Sequence, residues 1–334
     1  MKTRQTLLLC LMISALSLNS GCKSTKNASH GEAEKPSWMT ERPVNPDYYY
    51  GVGSAPRRGS SDLYRRRAME KALSDIAGQI SMHINSNVSM YRVEDHFGVR
   101  EVIENRIKAE SENFIEGHEI MDEYEDENVY HVIYRLSKAT YLQKRAERRE
   151  KAIQIARENY LNGSEKASKG DYSMAVKHLV EAMETIHPFA GEGTIIAVNN
   201  DSVNLITSPP ELLKKIFGRL SLEANPDTVE TQTLRVKSGA AYFQVVDHLD
   251  RPVAETPILF DLSGGYLISN RSATNKNGRC DGPGMNLTKN STSSKLTGRI
   301  DFYRLVSKHT EDIGIRNMVK DWPGDEVGVV VKKP

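Results

Sequence analysis

Asp47 to Leu73, DYYYGVGSAPRRGSSDLYRRRAMEKAL, admits two folds, a phosphate-cradling loop between strand and helix or a plain strand, turn and helix. It sets three tyrosines, two glycines one residue apart and a third glycine ahead of a helical pattern. A dinucleotide loop needs Gly-x-Gly-x-x-Gly opening directly into a helix, so that backbone amides at the helix start face the pyrophosphate. Gly51 and Gly53 supply the first two glycines, but the third place falls on Pro56, which has no amide hydrogen. Arg57, Arg58 and Gly59 then delay the helix, whose cap is expected at Ser60, Ser61 or Asp62. No Gly-Lys-Ser/Thr follows, so a Walker loop is excluded as well. The stretch reads as a strand from Tyr48 to Val52, a turn and a capped helix. Arg57 and Arg58 are read as solvated turn charges in preference to an anion site.

Working outward, the helix from Asp62 to Met82 carries Ala68, Ala72, Leu73, Ile76, Ala77 and Ile80 as one stripe of small and apolar residues, suited to close approach to a sheet. Arg65, Arg66 and Arg67 make its wet face. Ile84 to Val93 alternates apolar and polar residues, which predicts a half-buried strand. Val99, Val102, Ile103, Ile107 and Phe114 predict a second amphipathic helix, stopped by Gly117. Ile120 to Tyr124 and Val129 to Leu136 then flank an Asp126-Glu127-Asn128 turn, with Tyr130, Val132, Tyr134 and Leu136 on one face of a hairpin. The expected order is strand, helix, strand, helix, strand, strand. That is a two-layer α/β domain with an antiparallel-rich sheet, in a chain of the α+β class.

PSWMTERPVNPDYYYGVGSA followed by AMEKALSDIAGQI resembles the LPP20 family of bacterial lipoproteins. The residues that carry the resemblance are Pro36, Trp38, Gly51, Gly53, Ala55, Ala68, Ala72 and Ala77, across about residues 36–140. The resemblance implies an outer-membrane lipoprotein. It supplies no catalytic residues, because the family has no agreed set.

The leader agrees with that implication. Lys2 and Arg4 precede an uncharged apolar run from Leu7 to Leu18, then Ser20, Gly21 and Cys22, the order of a secretory signal. The run is too short for a membrane span, which needs roughly 20 residues. LNSGC resembles a bacterial lipoprotein box, although Asn19 stands where the pattern has leucine, and Leu18 lies one place further out. The resemblance implies acylation of Cys22, with palmitate-type chains as the membrane anchor. Plain secretion with an ordinary Cys22 thiol is the alternative. No Asp follows Cys22, which favours the outer membrane, and no acidic export cluster follows it, which favours the periplasm-facing leaflet.

Removal of the leader, residues 1–21, leaves 43 basic against 44 acidic residues, a balance that does not suit a nucleic-acid ligand. Cys10 leaves with the leader, so Cys280 is the one cysteine besides Cys22. A single thiol makes neither an internal disulfide nor a Cys-x-x-Cys zinc site. Residues 22–37 read as a polar, flexible tether to a domain over 38–140.

Residues 141–190 read as a helical hairpin. The segment from Tyr141 to Tyr160 is rich in Lys, Arg and Glu, and its interspersed acids favour an exposed helix over a membrane helix. Ala167, Gly170, Asp171, Tyr172, Ala175, Leu179, Ala182 and Pro188 resemble one tetratricopeptide unit. A lone unit lacks the stacked groove with which such arrays hold peptides. Residues 191–233 read as a mixed connecting region, with a short strand pair and a helix opened by Pro209-Pro210.

The region 234–334 is strand-patterned. A polar turn from Asp247 to Arg251, Pro252-Val253, a Pro257-Ile258-Leu259-Phe260 strand and ATNKNG (Ala273 to Gly278) resemble bacterial immunoglobulin-like domains. The resemblance implies a β-sandwich used as a spacer or adhesive surface. KLTGRIDFYRL is expected to be a later strand. Asp247, Asp250 and Asn277 are read as turn residues in preference to calcium ligands.

No His-Glu-x-x-His, no Gly-x-Ser-x-Gly and no local Cys-His pairing occurs among the nine histidines and the serines. Glu119, Asp122, Glu123, Glu125, Asp126 and Glu127 crowd the hairpin, where a solvated turn accounts for them. The expectation is a non-catalytic outer-membrane lipoprotein without cofactor or metal, serving as a scaffold or assembly component. Its expected partners are the membrane, through lipidated Cys22, and other envelope proteins. A glycan- or peptidoglycan-binding module is the alternative, and a hydrolase with a dispersed site is a third reading.

Overall fold

A computed structural model describes residues 35–90, 99–198, 201–290 and 292–333. In the first unit, β1 (Tyr48–Pro56) leads into α1 (Ser61–Met90), followed by α2 (Val99–Asn113), β2 (His118–Glu125) and β3 (Val129–Ser137). The sheet runs β1-β3-β2, antiparallel throughout. Strand alternation turns Tyr49, Gly51, Gly53 and Ala55 toward the helices. Their partners across β3 are Leu136, Tyr134, Val132 and Tyr130, all buried in the main core.

Gly51 and Gly53 lie where α1 crosses. A Cβ on Gly51 would sit 2.0 Å from the Ala72 carbonyl oxygen, and one on Gly53 would sit 1.9 Å from the Ala68 carbonyl oxygen. Strand backbone therefore rests on helix backbone, and the alanines of the helix are fully buried to allow it. The glycine pattern that imitates a phosphate loop is a packing device.

The strand expected from Ile84 is absent in its described part, because α1 continues unbroken to Met90. Residues 91–93 of that expectation lie outside the described residues. The reason is visible in the spacing: Ile84 falls four residues after Ile80 and eight after Ile76, so it extends the buried stripe by another turn. The local alternation was a weaker signal than this longer period. The order in the first unit is thus strand, helix, helix, strand, strand. The second helix ends at Asn113, and Phe114 lies half-exposed under the Arg148 guanidinium rather than on a helix face.

Two helices follow as an antiparallel pair, α3 (Lys138–Ser168) and α4 (Tyr172–Ile186). Ser137 caps α3 by accepting from the Thr140 amide, and Asp171 caps α4 by accepting from the Met174 amide. Gly170 makes the turn with φ +82, a conformation that favours glycine. Arg145 of α3 is buried with its charge. It donates through Nε to Glu192 at 2.7 Å, through Nη2 to the Pro188 carbonyl at 2.6 Å, and through Nη1 to Glu110 of α2. Glu110 also accepts from Arg148 Nε at 2.9 Å. Burial opposes the Arg145 charge, but the Glu192 and Glu110 carboxylates prevail and raise its pKa. This cluster locks the first unit, the helical pair and the chain beyond α4 together.

Beyond it come the hairpin β4 (Ile195–Val198) and β5 (Asp201–Asn204), α5 (Ser208–Phe217) with prolines in its first turn, then β6 (Leu220–Asn225), β7 (Thr228–Glu230), β8 (Arg235–Val236) and β9 (Tyr242–Asp247). The chain continues through β10 (Pro257–Ser263), β11 (Gly265–Leu267), β12 (Arg271–Ala273), β13 (Arg279–Asp281), β14 (Met285–Leu287) and β15 (Ser293–Ile300). It closes with α6 (Phe302–Ser307), α7 (Ile313–Met318) and β16 (Glu326–Lys332). A five-stranded sheet, β12-β10-β15-β16-β7, faces a three-stranded sheet, β13-β9-β6, and a third sheet, β11-β14-β8, adjoins them. Phe243 of β9 fills the gap between the first two: a Cβ on Gly298 of β15 would lie 2.7 Å from its ring, and Phe260 of β10 meets it edge-on. KLTGRIDFYRL is not one strand. Asp301 accepts from the Arg304 amide at 2.9 Å, which ends β15 and starts α6.

The strand units are tied to the helices by charge as well as by packing. Asp247, at the end of β9, accepts from Tyr172 Oη at 2.8 Å, from Arg251 Nε at 2.8 Å, and from the Leu249 and Arg251 amides. Burial alone would raise its pKa, but these donors outweigh it and hold the carboxyl at about 2. Arg106 of α2 reaches Asp312 at 2.6 Å and Glu184 of α4 at 3.2 Å. One continuous apolar core extends from Ala55 to Val331.

Two predictions follow from this packing. Gly53→Ala should lower unfolding stability by about 3 kcal/mol, the upper part of the range for overpacking. Gly78→Ala, at a helical glycine with no neighbour within 4 Å of its added Cβ, should instead stabilise by about 0.5–1 kcal/mol. Paired urea titrations read both. The second concerns His187, buried after α4 with neither ring nitrogen hydrogen-bonded among the described residues. Burial first, and then the Arg106 charge, lower its pKa from 6.5 to about 4, against the opposing pull of Asp312. The unfolded chain therefore takes up this proton at higher pH than the folded one. The associated stability is present above pH 6.5 and is lost as pH falls towards 4. His187→Leu should flatten the dependence of the urea midpoint on pH in that window.

Candidate interaction surface

Strand alternation gives the first sheet a second face, away from α1. Tyr48, Tyr50 and Val52 of β1, Ile133 and Arg135 of β3, and Glu119, Asp122 and Tyr124 of β2 share it by register. Trp38, in a short 3-10 turn at Ser37–Met39, folds back over this face and buries Tyr50 and Ile133 with it. Its indole Nε1 donates to Asp122 Oδ2 at 2.7 Å, which satisfies the one polar group of the ring. Met39, Tyr48, Val52 and Tyr124 remain partly open around this small cluster. Arg135 lies over the Tyr48 ring at 5.1 Å and pairs with Glu119 at 2.9 Å. The result is a shallow aromatic face with a charged rim, covered at one end by the segment that enters from the N-terminus. Along the β2 edge, Ile120 and Met121 are exposed, and Met121 sits at an irregularity in the register between Ile120 and Asp122. Such a break protects an edge from open-ended strand pairing.

The acidic run of the hairpin has partners, which corrects its reading as a merely solvated turn. Glu123 accepts from Arg65 at 2.9 Å and from Tyr130 Oη, and Glu125 accepts from Tyr64 Oη at 2.9 Å and pairs with Arg57 at 2.7 Å. Burial, with the Glu123 carboxylate, raises the Tyr130 pKa. Asp126 accepts from the Asn128 and Val129 amides, the expected turn chemistry, and those bonds lower its pKa. The charges bind the hairpin to α1 and to the turn after β1. Arg57 is thereby an ion-pair partner, not a free turn charge. The arginines of α1 and the acids of β2 lie far apart in sequence, and only the sheet shows their pairing. A tryptophan in an otherwise polar entry segment was the one legible signal for the cover.

Asp247 spends its oxygens on Tyr172, Arg251 and backbone amides, as a turn and interface residue. Among the described residues, no three His, Cys, Asp or Glu side chains come together as a metal site. Cys280 is buried on β13, and burial pushes its thiol up to about 11, so it remains protonated. Cys22 lies outside the described residues. No helix among the described residues is long and apolar enough to cross a membrane.

An α-helix-covered antiparallel sheet with a Trp-capped second face thus opens a larger α+β chain. Residues 36–136, the span of that first unit, match the model of the LPP20 lipoprotein family. The match supports a lipoprotein of the cell envelope. No curated protein matches the chain in sequence. Among solved structures, WR4, a C. elegans MSP family member, is similar at 9% identity and TM-score 0.22 over 34% of this chain and 97% of that one. The secreted protein HP1454 from the human pathogen Helicobacter pylori is similar at 15% identity and TM-score 0.22 over 56% of this chain and 64% of that one. Neither likeness is close enough to carry a structural argument.

Removing the cover should be costly. Trp38→Ala should destabilise the chain by about 3 kcal/mol in urea unfolding, because it uncovers Tyr50 and Ile133. Asp122→Ala should cost about 2 kcal/mol, since it removes the acceptor of the indole hydrogen bond and that of the Glu123 amide.

Proposed function

We propose that this chain is a non-catalytic, lipid-anchored component of the bacterial outer membrane that serves as a scaffold or assembly part of the envelope. The observation that carries the reading is the LPP20 match beginning at Pro36, shortly after the lipobox-like LNSGC that ends at Cys22. Acylation of Cys22 would fix the N-terminus at the bilayer, since each buried methylene contributes about 0.8 kcal/mol and two or more chains hold stably. The segment 23–37 then spans roughly 50 Å at full extension, so the first unit works close to the membrane surface. There the aromatic face around Tyr48, Val52 and Tyr124 is the surface offered to an envelope protein. The half-buried ion pair from α2 to α4 and the buried hydrogen bond from Tyr172 to Asp247 support a rigid body suited to holding partners at a fixed distance. The periplasm-facing leaflet belongs to the same reading.

Radiolabelled palmitate should enter the wild-type chain and not Cys22→Ser, which should leave the membrane fraction. A photo-crosslinking side chain in place of Tyr48 or Tyr124 should capture an envelope protein in intact cells, whereas one in place of Leu249, an exposed residue of the β9 turn, should not. Equal membrane retention of Cys22→Ser defeats the anchor, and equal capture at Leu249 defeats the docking face.

A further inference from the structure

The helices at the C-terminal end form a second surface of a different character. Arg271 of β12, Tyr303 and Arg304 of α6, Lys308 at the C-terminal end of α6 and Arg316 of α7 line an open depression of about 300 Å³, together with Asp301. Four cations thus converge where one lining residue is acidic. Asp301 lies 3.8 Å from Arg271 Nε, and its other oxygen caps α6 through the Arg304 amide. Arg316 is held by the Thr310 carbonyl at 2.7 Å and pairs with Glu311, whose side chain is 97% exposed. Lys308 donates to the Glu255 carbonyl at 2.8 Å, a contact that positions the ammonium without neutralising it. Arg304 is exposed and has no side-chain hydrogen bond or ion pair among the described residues. With Asp301 and Glu311 counted against the four cations, the depression keeps two positive charges.

Arg271 also lines a neighbouring depression of about 360 Å³, where Arg235 and Lys237 face Asp281. The excess of positive charge therefore continues along this surface, although the chain as a whole is close to neutral. Guanidinium groups present planar forks of donors that match phosphate oxygens, and a phosphomonoester carries nearly two negative charges at neutral pH. A carboxylate would offset only half of the local charge. The half-exposed Tyr303 ring forms one wall, and the volume leaves room for a small polar group behind a phosphate.

We propose that this depression binds a phosphomonoester through Arg304, Arg271 and Lys308. This site is independent of the aromatic face and of the lipid anchor. The phosphate has two sources consistent with its chemistry, a soluble sugar phosphate and a phospholipid headgroup, and two measurements separate them. Both use the full-length chain carrying Cys22→Ser, so that no acyl group draws it to a bilayer. Calorimetric titration with inorganic phosphate and glucose 6-phosphate reads the soluble source. Flotation with phosphatidylcholine vesicles, with and without phosphatidic acid, reads the headgroup.

Saturable binding in either measurement is expected, weakened at least about tenfold by Arg304→Ala and unchanged by Arg58→Ala, an exposed turn arginine of the first unit. The Arg304 side chain makes no hydrogen bond or ion pair among the described residues, and its capping amide is kept in alanine, so the variant should unfold at the wild-type urea concentration, and loss of binding is then loss of the site. Binding to glucose 6-phosphate alone assigns the soluble source, and binding to phosphatidic acid vesicles alone assigns the headgroup. Absence of saturable binding in both measurements overturns the proposal. Equal weakening by Arg304→Ala and Arg58→Ala overturns it too, since that is the behaviour of diffuse surface charge.

Discussion

Backbone contact between one strand and one helix sets the geometry of the N-terminal unit. Gly51 and Gly53 bring β1 against the Ala68 and Ala72 carbonyls at a distance no side chain would tolerate. That approach fixes where α1 lies, and the helix then extends far enough for Ile76, Ile80 and Ile84 to close the core with α2. Everything on the helix-free face follows from the same alternation. If Tyr49, Gly51 and Gly53 point inward, Tyr48, Tyr50 and Val52 must point outward, where Trp38 covers part of what they expose.

The rest of the chain attaches to this unit through buried charge as well as apolar contact. Arg145 brings Glu110, Glu192 and the Pro188 carbonyl to one point, and Arg106 joins α2 to α4 and α7. Burying ions is expensive unless each is paired and hydrogen-bonded, which these are. Such clusters add less to net stability than their number suggests. Their geometry, however, rejects alternative dockings that would leave a charge buried alone. Asp247 plays the same part between α4 and the β9 turn. The chain is thus a set of recognisable pieces held in one arrangement by a few polar contacts.

Two surfaces of opposite kind result. Near the entry of the chain lies an aromatic face with a charged rim, the surface proposed to meet an envelope protein. At the other end of the sequence lies a cationic depression with few acids to offset it. An envelope component with both features would join a protein contact to a phosphate contact within a single rigid body. The near-neutral total charge conceals this asymmetry, since the acids of β2 pair with Arg65 of α1 and with Arg57 of the turn before it.

The sequence alone determined the strand, turn and helix at Asp47 to Leu73, the hairpin face of Tyr130, Val132, Tyr134 and Leu136, and the rejection of a nucleotide loop. Those depend on short-range periodicity and on proline's missing amide hydrogen, which are local facts. It also carried the LPP20 signature of Pro36, Trp38, Gly51 and Gly53. Residues 84–90 carry both a two-residue alternation and the continuation of the Ile76–Ile80 stripe, and the longer period prevails because Ile84 is buried in the same core. Tertiary structure alone decided that Trp38 caps the sheet, that Arg145 is buried and not a wet helix residue, and that Arg271 and Arg304 line one depression. Each joins residues distant along the chain, and a side chain's charge has no marker in sequence for the partner that folding will place beside it.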